Sequence, residues 1–228
     1  LFSNEFIIAN KKMEKRRSCL SLKEREILFK ILSETIENPK SELVFHNIFE
    51  LLCAVVLSAQ TTDVAVNRVT GELFKRAPTP SKMAALSLEE ISMFIRTLGL
   101  YRNKAKHLKE LSMILDRDYE GIVPCSYEEL VSLPGVGSKT AKVVLNVGFN
   151  KPTIAIDTHI FRVINRTGLC CCKSVVEGEL YLEKIVPKSY LLSAHHLLLL
   201  HGRYICTARH PKCAECKLTT ICRHLGFN

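Results

Sequence analysis

The sequence predicts an all-α fold, and three observations predict it. Apolar residues recur at helical spacing along nearly the whole chain, Ser, Thr, Asn or Asp residues stand where helices would begin, and no strand-turn-strand signal or internal repeat occurs. Ser21 with Glu24 makes a capping box, after which Ile27, Leu28, Ile31, Leu32 and Ile36 follow a helical stripe that Asn38-Pro39 ends. Asn47 with Glu50 opens an apolar helix running through Leu57. Asp63 is placed as the cap of the next helix, which reaches about Phe74. Thr79-Pro80 starts a short helix with proline at its favoured first position. Ser87 with Glu90 opens another, stopped by Gly99. Residues 102–119 form a long amphipathic helix that ends near Gly121, and Ser126 with Glu129 caps a short one before Pro134. A helix from Ser138 to about Val147 follows Gly135-Val136-Gly137. Residues 151–156 are extended, Asp157 begins a further helix, and two more helices fill 175–186 and 190–201.

Composition narrows the partners. The 228 residues carry 32 Lys and Arg against 23 Asp and Glu, a net charge of +9, with 47% hydrophobic residues. A chain of that length and hydrophobicity buries a full core, and its positive charge fits a polyanion, nucleic acid first. No apolar run approaches the roughly 20 residues of a membrane span. The ten cysteines are clustered rather than spread as a secreted disulfide scaffold would have them, which indicates a reducing compartment. Residues 1–20, rich in Lys and Arg from Lys11 to Arg17, are expected to form a flexible basic arm.

Cys206, Cys213, Cys216 and Cys222 fall within 17 residues, with six, two and five residues between them. Four thiolates so close can enclose one metal centre, either zinc or a [4Fe–4S] cluster. Zinc sites usually pair two short-spaced couples, and only Cys213 and Cys216 make one, which weighs toward iron–sulfur. Arg209, His210 and Lys212 lie between the first two of these cysteines, where a metal centre would stiffen a loop that presents cations to phosphates. Cys170, Cys171 and Cys172 are adjacent, cannot converge on one centre, and receive no role.

Leu133-Pro134-Gly135-Val136-Gly137-Ser138-Lys139 joins two helices through a glycine hairpin. Gly135 and Gly137 let the backbone turn tightly and bring bare N–H groups to an anion, which the dipole of the following helix also favours. Lys139 stands in the first turn of that helix, where a cation is disfavoured and the neutral amine of a nucleophile is correspondingly favoured. Asp157 is a helix cap on spacing alone, a role compatible with a second one if one oxygen faces a substrate.

Taken together, the hairpin with Lys139, Ile154-Ala155-Ile156-Asp157-Thr158-His159-Ile160-Phe161-Arg162, His201-Gly202-Arg203-Tyr204, the cysteine spacing and Leu57-Ser58-Ala59-Gln60-Thr61-Thr62-Asp63 resemble bacterial endonuclease III, a DNA glycosylase and abasic-site lyase. The resemblance runs from about residue 21 to 222. It implies a six-helix domain over 41–151 with the helix-hairpin-helix, an iron–sulfur cluster domain over 21–40 plus 152–228, and a DNA-binding cleft between them. It implies a cytoplasmic, nucleoid-associated monomer acting on double-stranded DNA with an oxidised pyrimidine or an abasic site. In that scheme the damaged nucleotide is flipped out of the stack. Lys139 attacks the sugar C1′, expels the base and forms a Schiff base, and elimination nicks the strand. Asp157 supports positive charge on the sugar, Gln60 fills the hole left in the duplex, and Leu100 is the apolar wedge. Gly135, Gly137, His159, Arg209 and Lys212 are assigned to DNA contact, and the [4Fe–4S] cluster on the four cysteines is structural.

Two rival readings are weighed. The related adenine-mismatch glycosylases lack the hairpin lysine, need a carboxylate in the helix before the Gln-Thr segment, and carry an extra C-terminal domain. Here Lys139 is present, no carboxylate occurs from Leu51 to Ala59, and six residues follow Cys222. A non-catalytic iron–sulfur DNA-binding module would use the hairpin and the basic loop without needing Lys139 and Asp157.

Overall fold

The computed structural model describes residues 19–224, which are helical with connecting turns and contain no strand. The expected basic arm lies outside the described residues except for its last two positions. Of these Leu20 belongs to the core: it is buried, and its N–H donates to Gly168 O at 2.7 Å. The described residues divide into two compact units, 41–151 and 152–224 with 19–40.

The first helix, α1 (Leu22–Thr35), starts at the capping box formed by Ser21 and Glu24. In the central unit follow α2 (Ile48–Leu57), α3 (Asp63–Arg76), α4 (Pro80–Ala85), α5 (Leu88–Ile95), α6 (Tyr101–Asp118), α7 (Tyr127–Ser132) and α8 (Ser138–Phe149). That makes seven helices, one more than the expected six, because α4 and α7 are pieces of only six residues each. Helix α2 is buried along its length from Phe49 to Leu57, as a helix apolar on every face must be. Each fully buried Leu or Val there contributes about 1.5–3 kcal/mol relative to exposure. Helix α3 is capped by Thr62, whose side chain accepts from Ala65 N–H, and Asp63 is its first residue. The cap thus falls one residue before the expected Asp63, because Thr62 has the extended backbone a cap needs. Helix α6 packs against α4 and α5. Its Lys109 Nζ donates to Ala84 O and Leu86 O, which satisfies carbonyls left open at the end of α4.

The other unit is built from α1, α9 (Thr158–Thr167), α10 (Val175–Ile185), a 3₁₀ turn over Lys188–Tyr190 and α11 (Ala194–Tyr204). Helix α11 begins four residues later than the periodicity predicts, because the 3₁₀ turn and a further bend occupy 188–193. Helices α9 and α11 pack closely at Gly202, where a Cβ would come within 3.0 Å of His159 Cβ and 3.1 Å of His159 O. The extended residues Ile154, Ala155 and Ile156 are buried beside them. Glu24 reaches from α1 to Arg223, with both carboxylate oxygens 2.8 Å from Nη2. The Ser21 backbone N–H and then Arg223 hold its carboxyl down to about 2. No described helix is long and apolar enough to cross a membrane.

Candidate active site and cysteine centre

The glycine hairpin turns as its composition requires. Val136 N–H donates to Leu133 O at 3.1 Å, and Gly135 takes φ +78°, a left-handed conformation that side chains rarely adopt. A Cβ at Gly135 would also fall 2.8–2.9 Å from the His107 ring and Cβ on α6. Gly137 is different: its φ is −92° and no atom lies within 4 Å of an added Cβ. Gly137 is the N-cap of α8 and supplies no side-chain hydrogen bond to the first turn. The start of α8 is therefore left for an anion. Lys139 is exposed at the second position of that helix. Val136, between the two glycines, is buried and anchors the turn to the core of the unit.

Gln60 and Leu100 both adopt left-handed backbone, φ +54° and +57°, and both are exposed. Neither residue type favours that region, and strain of this kind collects at functional sites. Gln60 sits in the turn after α2, where Thr61 N–H donates to Ser58 O at 3.0 Å. Leu100 is the N-cap of α6, without a side-chain cap, and leaves 62% of its surface to solvent.

In the other unit Asp157 caps α9, its Oδ1 accepting from Ile160 N–H at 2.8 Å. The side chain is partly exposed. His159 lies against Gly202, and its Nδ1 is 3.2 Å from Arg162 Nη2. Arg162 donates onward to Gly202 O at 2.7 Å and to Cys206 O at 2.8 Å. One turn later Arg166 donates to Thr207 O at 2.7 Å and Ala208 O at 3.1 Å, and its Nη1 is 3.7 Å from Cys206 Sγ. Helix α9 thus runs from Asp157 at its start to the cysteine segment at its end.

Cys206, Cys213, Cys216 and Cys222 line one pocket of about 60 Å³, with Arg166, His201 and apolar Ile205 and Leu218 in its wall. Cys216 Sγ is 3.8 Å from His201 Nε2. Burial pushes the Cys222 thiol up to about 11 and raises Cys216, and it lowers His201 to about 4. Sulfurs bound to a single zinc stand about 3.8 Å apart, from a Zn–S bond near 2.3 Å and tetrahedral angles. Among the described residues no three His, Cys, Asp or Glu side chains are gathered so as to hold one metal ion. Four thiols ranged around a shared pocket could together hold a metal centre. Arg209, His210 and Lys212 project from the loop between the first two cysteines and are exposed. Thr207 Oγ1 donates to Arg209 O at 2.8 Å and helps hold that loop's shape.

Sequence reasoning gave Arg166 no role and quoted Arg162 and His201 only within the motifs that carry the resemblance. The two arginines recur four apart on α9, a helical-face signal, but their carbonyl partners some 40 residues away carry no local trace. Of the three adjacent cysteines, Cys170 and Cys172 are buried and Cys171 is exposed, and none lines the pocket. Burial pushes the Cys170 thiol up to about 12, which suits an inert thiol.

A helix-hairpin-helix with a first-turn lysine defines a class of DNA-repair proteins, and the comparison with known families agrees. Residues 53–188 match the model of the HhH-GPD superfamily base excision DNA repair proteins. Endonuclease III of Bacillus subtilis (strain 168) is 48% identical over 205 residues, covering 90% of this chain and 94% of the relative. A trapped endonuclease III–DNA covalent intermediate, an estranged-adenine complex, matches with a TM-score of 0.84 at 45% identity, covering 90% and 97% of the two chains. A non-covalent endonuclease III–DNA complex matches with a TM-score of 0.84 at 44% identity, covering 90% and 96%. The chain belongs to the endonuclease III family of base excision repair enzymes.

Proposed function

We propose that this chain is a bifunctional DNA N-glycosylase and abasic-site lyase that removes oxidised pyrimidines from double-stranded DNA, with Lys139 as the nucleophile. The observation that carries the reading is Lys139 itself, exposed in the first turn of the helix after the glycine hairpin, in a chain of the endonuclease III family. The damaged nucleotide leaves the stack to be reached. The Lys139 amine forms a bond to C1′ as the bond from C1′ to the base breaks, and the base departs with a proton. The sugar ring opens to an imine. Loss of a proton from C2′ then expels the 3′ oxygen as phosphate and nicks the strand. Asp157, while capping α9, provides negative charge to the positive sugar and moves protons. Gln60 and Leu100 enter the duplex, and Gly135, Gly137, His159, Arg209 and Lys212 hold its backbone.

Cys206, Cys213, Cys216 and Cys222 hold a [4Fe–4S] cluster in this reading. The cluster serves as a structural staple and takes no part in the bond-breaking steps. The loop it fixes carries Arg209 and Lys212 toward phosphates. The enzyme works as a monomer in a reducing cytoplasm, at the nucleoid.

Borohydride tests the nucleophile, because it reduces an imine to a stable amine. With a duplex containing thymine glycol, in EDTA, the parent protein should become covalently joined to DNA and should nick the strand. Lys139→Gln keeps length and polarity, removes a cation from a helix start where it is unfavourable, and so should fold and bind. It should neither cross-link nor nick. Cross-linking by the Gln variant at the parent's level would assign the chemistry to another amine. A parent that never cross-links would make the chain a binding module or a simple glycosylase.

A further inference from the structure

Lys104, on α6, is the most deeply buried lysine of the described residues, only 4% exposed. Its Nζ donates to Thr61 Oγ1 at 2.7 Å, and burial lowers its pKa. An ammonium has three donors, and a single hydroxyl is a poor return for removing it from water. Its place in the fold is more informative than its energetics. The Lys104 backbone N–H donates to Leu100 O at 3.1 Å. Because Lys104 donates to the Thr61 hydroxyl, that hydroxyl's own hydrogen is directed elsewhere, and it donates to Ala59 O at 3.3 Å. Ala59 and Thr61 flank Gln60. A continuous relay therefore runs from the left-handed Leu100 through Lys104 and Thr61 to the turn that holds Gln60 left-handed.

We infer that Lys104 is a positioning residue that locks the Gln60 turn and the Leu100 turn into one rigid pair, so that both enter the duplex together when the nucleotide is flipped. The inference rests on the proposed roles of Gln60 and Leu100. Without the Lys104–Thr61 link each turn keeps its own backbone bonds but loses its register to the other. The two side chains would then fill the hole in the duplex less often, and the flipped nucleotide would be held out of the stack less often.

The test uses a duplex with a tetrahydrofuran abasic analogue opposite 2-aminopurine, whose fluorescence rises when the orphaned base is unstacked. The full-length parent should give that rise. Lys104→Met keeps the length of the side chain and removes the ammonium, so its melting temperature should be equal or higher, yet most of the fluorescence rise should be lost at saturating protein. Thr61→Val should lose it as well, and Thr61→Ser, which retains the hydroxyl, should keep it. The Lys104→Met, Thr61→Val double variant should be no worse than the weaker single one. Full fluorescence from Lys104→Met, or losses that simply add in the double variant, would overturn the inference. Gln60→Ala and Leu100→Ala separate the two levels. If they abolish the rise and Lys104→Met does not, the positioning role alone fails. If they leave the rise intact, the probe roles fail and Lys104 has nothing to position.

Discussion

At the scale of single residues, Asp157 caps α9, and the proposed function gives the same carboxylate a chemical role. Its Oδ1 accepts the Ile160 N–H, which satisfies one open donor of α9. Asn caps a helix nearly as well, so Asp157→Asn should cost less than about 1 kcal/mol, mostly the lost charge at the helix start. Base release from a thymine glycol duplex should nevertheless fall by roughly two to four orders of magnitude, the range general acid–base groups contribute. The loss should be smaller on a preformed abasic site, where no base has to leave. Single-turnover rates on the two substrates, with thermal melts of the same samples, check this. A variant that melts much lower but keeps its rate per folded molecule would leave Asp157 as a cap only.

At the scale of elements, the hairpin separates two glycines that the sequence treats alike. Gly135 is required by conformation, with φ +78° and the His107 ring against the missing Cβ. Gly135→Ala should cost about 1–3 kcal/mol from backbone strain, with His107 forced aside as well. Gly137 has ordinary backbone and open space, so Gly137→Ala should cost only about 0.5–1 kcal/mol, the difference between glycine and alanine at an N-cap. It would also place a methyl group where an anion approaches the start of α8, so its duplex affinity should drop even at temperatures where it stays fully folded. Equal melting of both variants would show that the turn tolerates a side chain at either place. The elements themselves were legible from the sequence because capping and apolar spacing are local: Ser21, Asn47, Thr79, Ser87, Ser126 and Asp157 all cap as their positions predict. Thr62 was passed over for its neighbour Asp63, since both residue types favour caps and only backbone angles decide. Of the candidate site, the place of Lys139 in a helix's first turn and the grouping of the four cysteines were legible from local pattern and spacing. Lys104 was not, because a lysine on an amphipathic helix reads as a solvated one until the fold buries it against a turn 43 residues earlier.

At the scale of the whole molecule, the two units have separate cores, and the four clustered cysteines belong to only one unit. Cys206 and Cys216 pack against the core formed by residues of α1, α9 and α11, including Leu28, Phe29, Ile160, Val163, Leu197 and Leu198. The core of the central unit, with Leu51, Leu52, Leu73, Leu108 and Leu111, includes none of the four. If a cluster binds only the folded form, its binding free energy adds to the stability of the unit that holds it. The protein purified without oxidation should be brown, with about four irons per chain as a Cys₄ [4Fe–4S] centre requires. Cys213→Ser, or oxidative removal of iron, should then act on the two units unequally. Amide hydrogen exchange should lose protection across α9 and α11 and through the loop carrying Arg209 and Lys212. It should keep protection in α2 and α6, where buried leucines alone supply the stability. Duplex affinity should fall with the loss of that loop, while the 41–151 unit still melts cooperatively. Two results would count against this account. A colourless, zinc-containing protein with full protection would replace the cluster by a single ion. Loss of protection in α2 and α6 in step with α9 and α11 would show that the central unit depends on the cluster, and that its own core does not suffice.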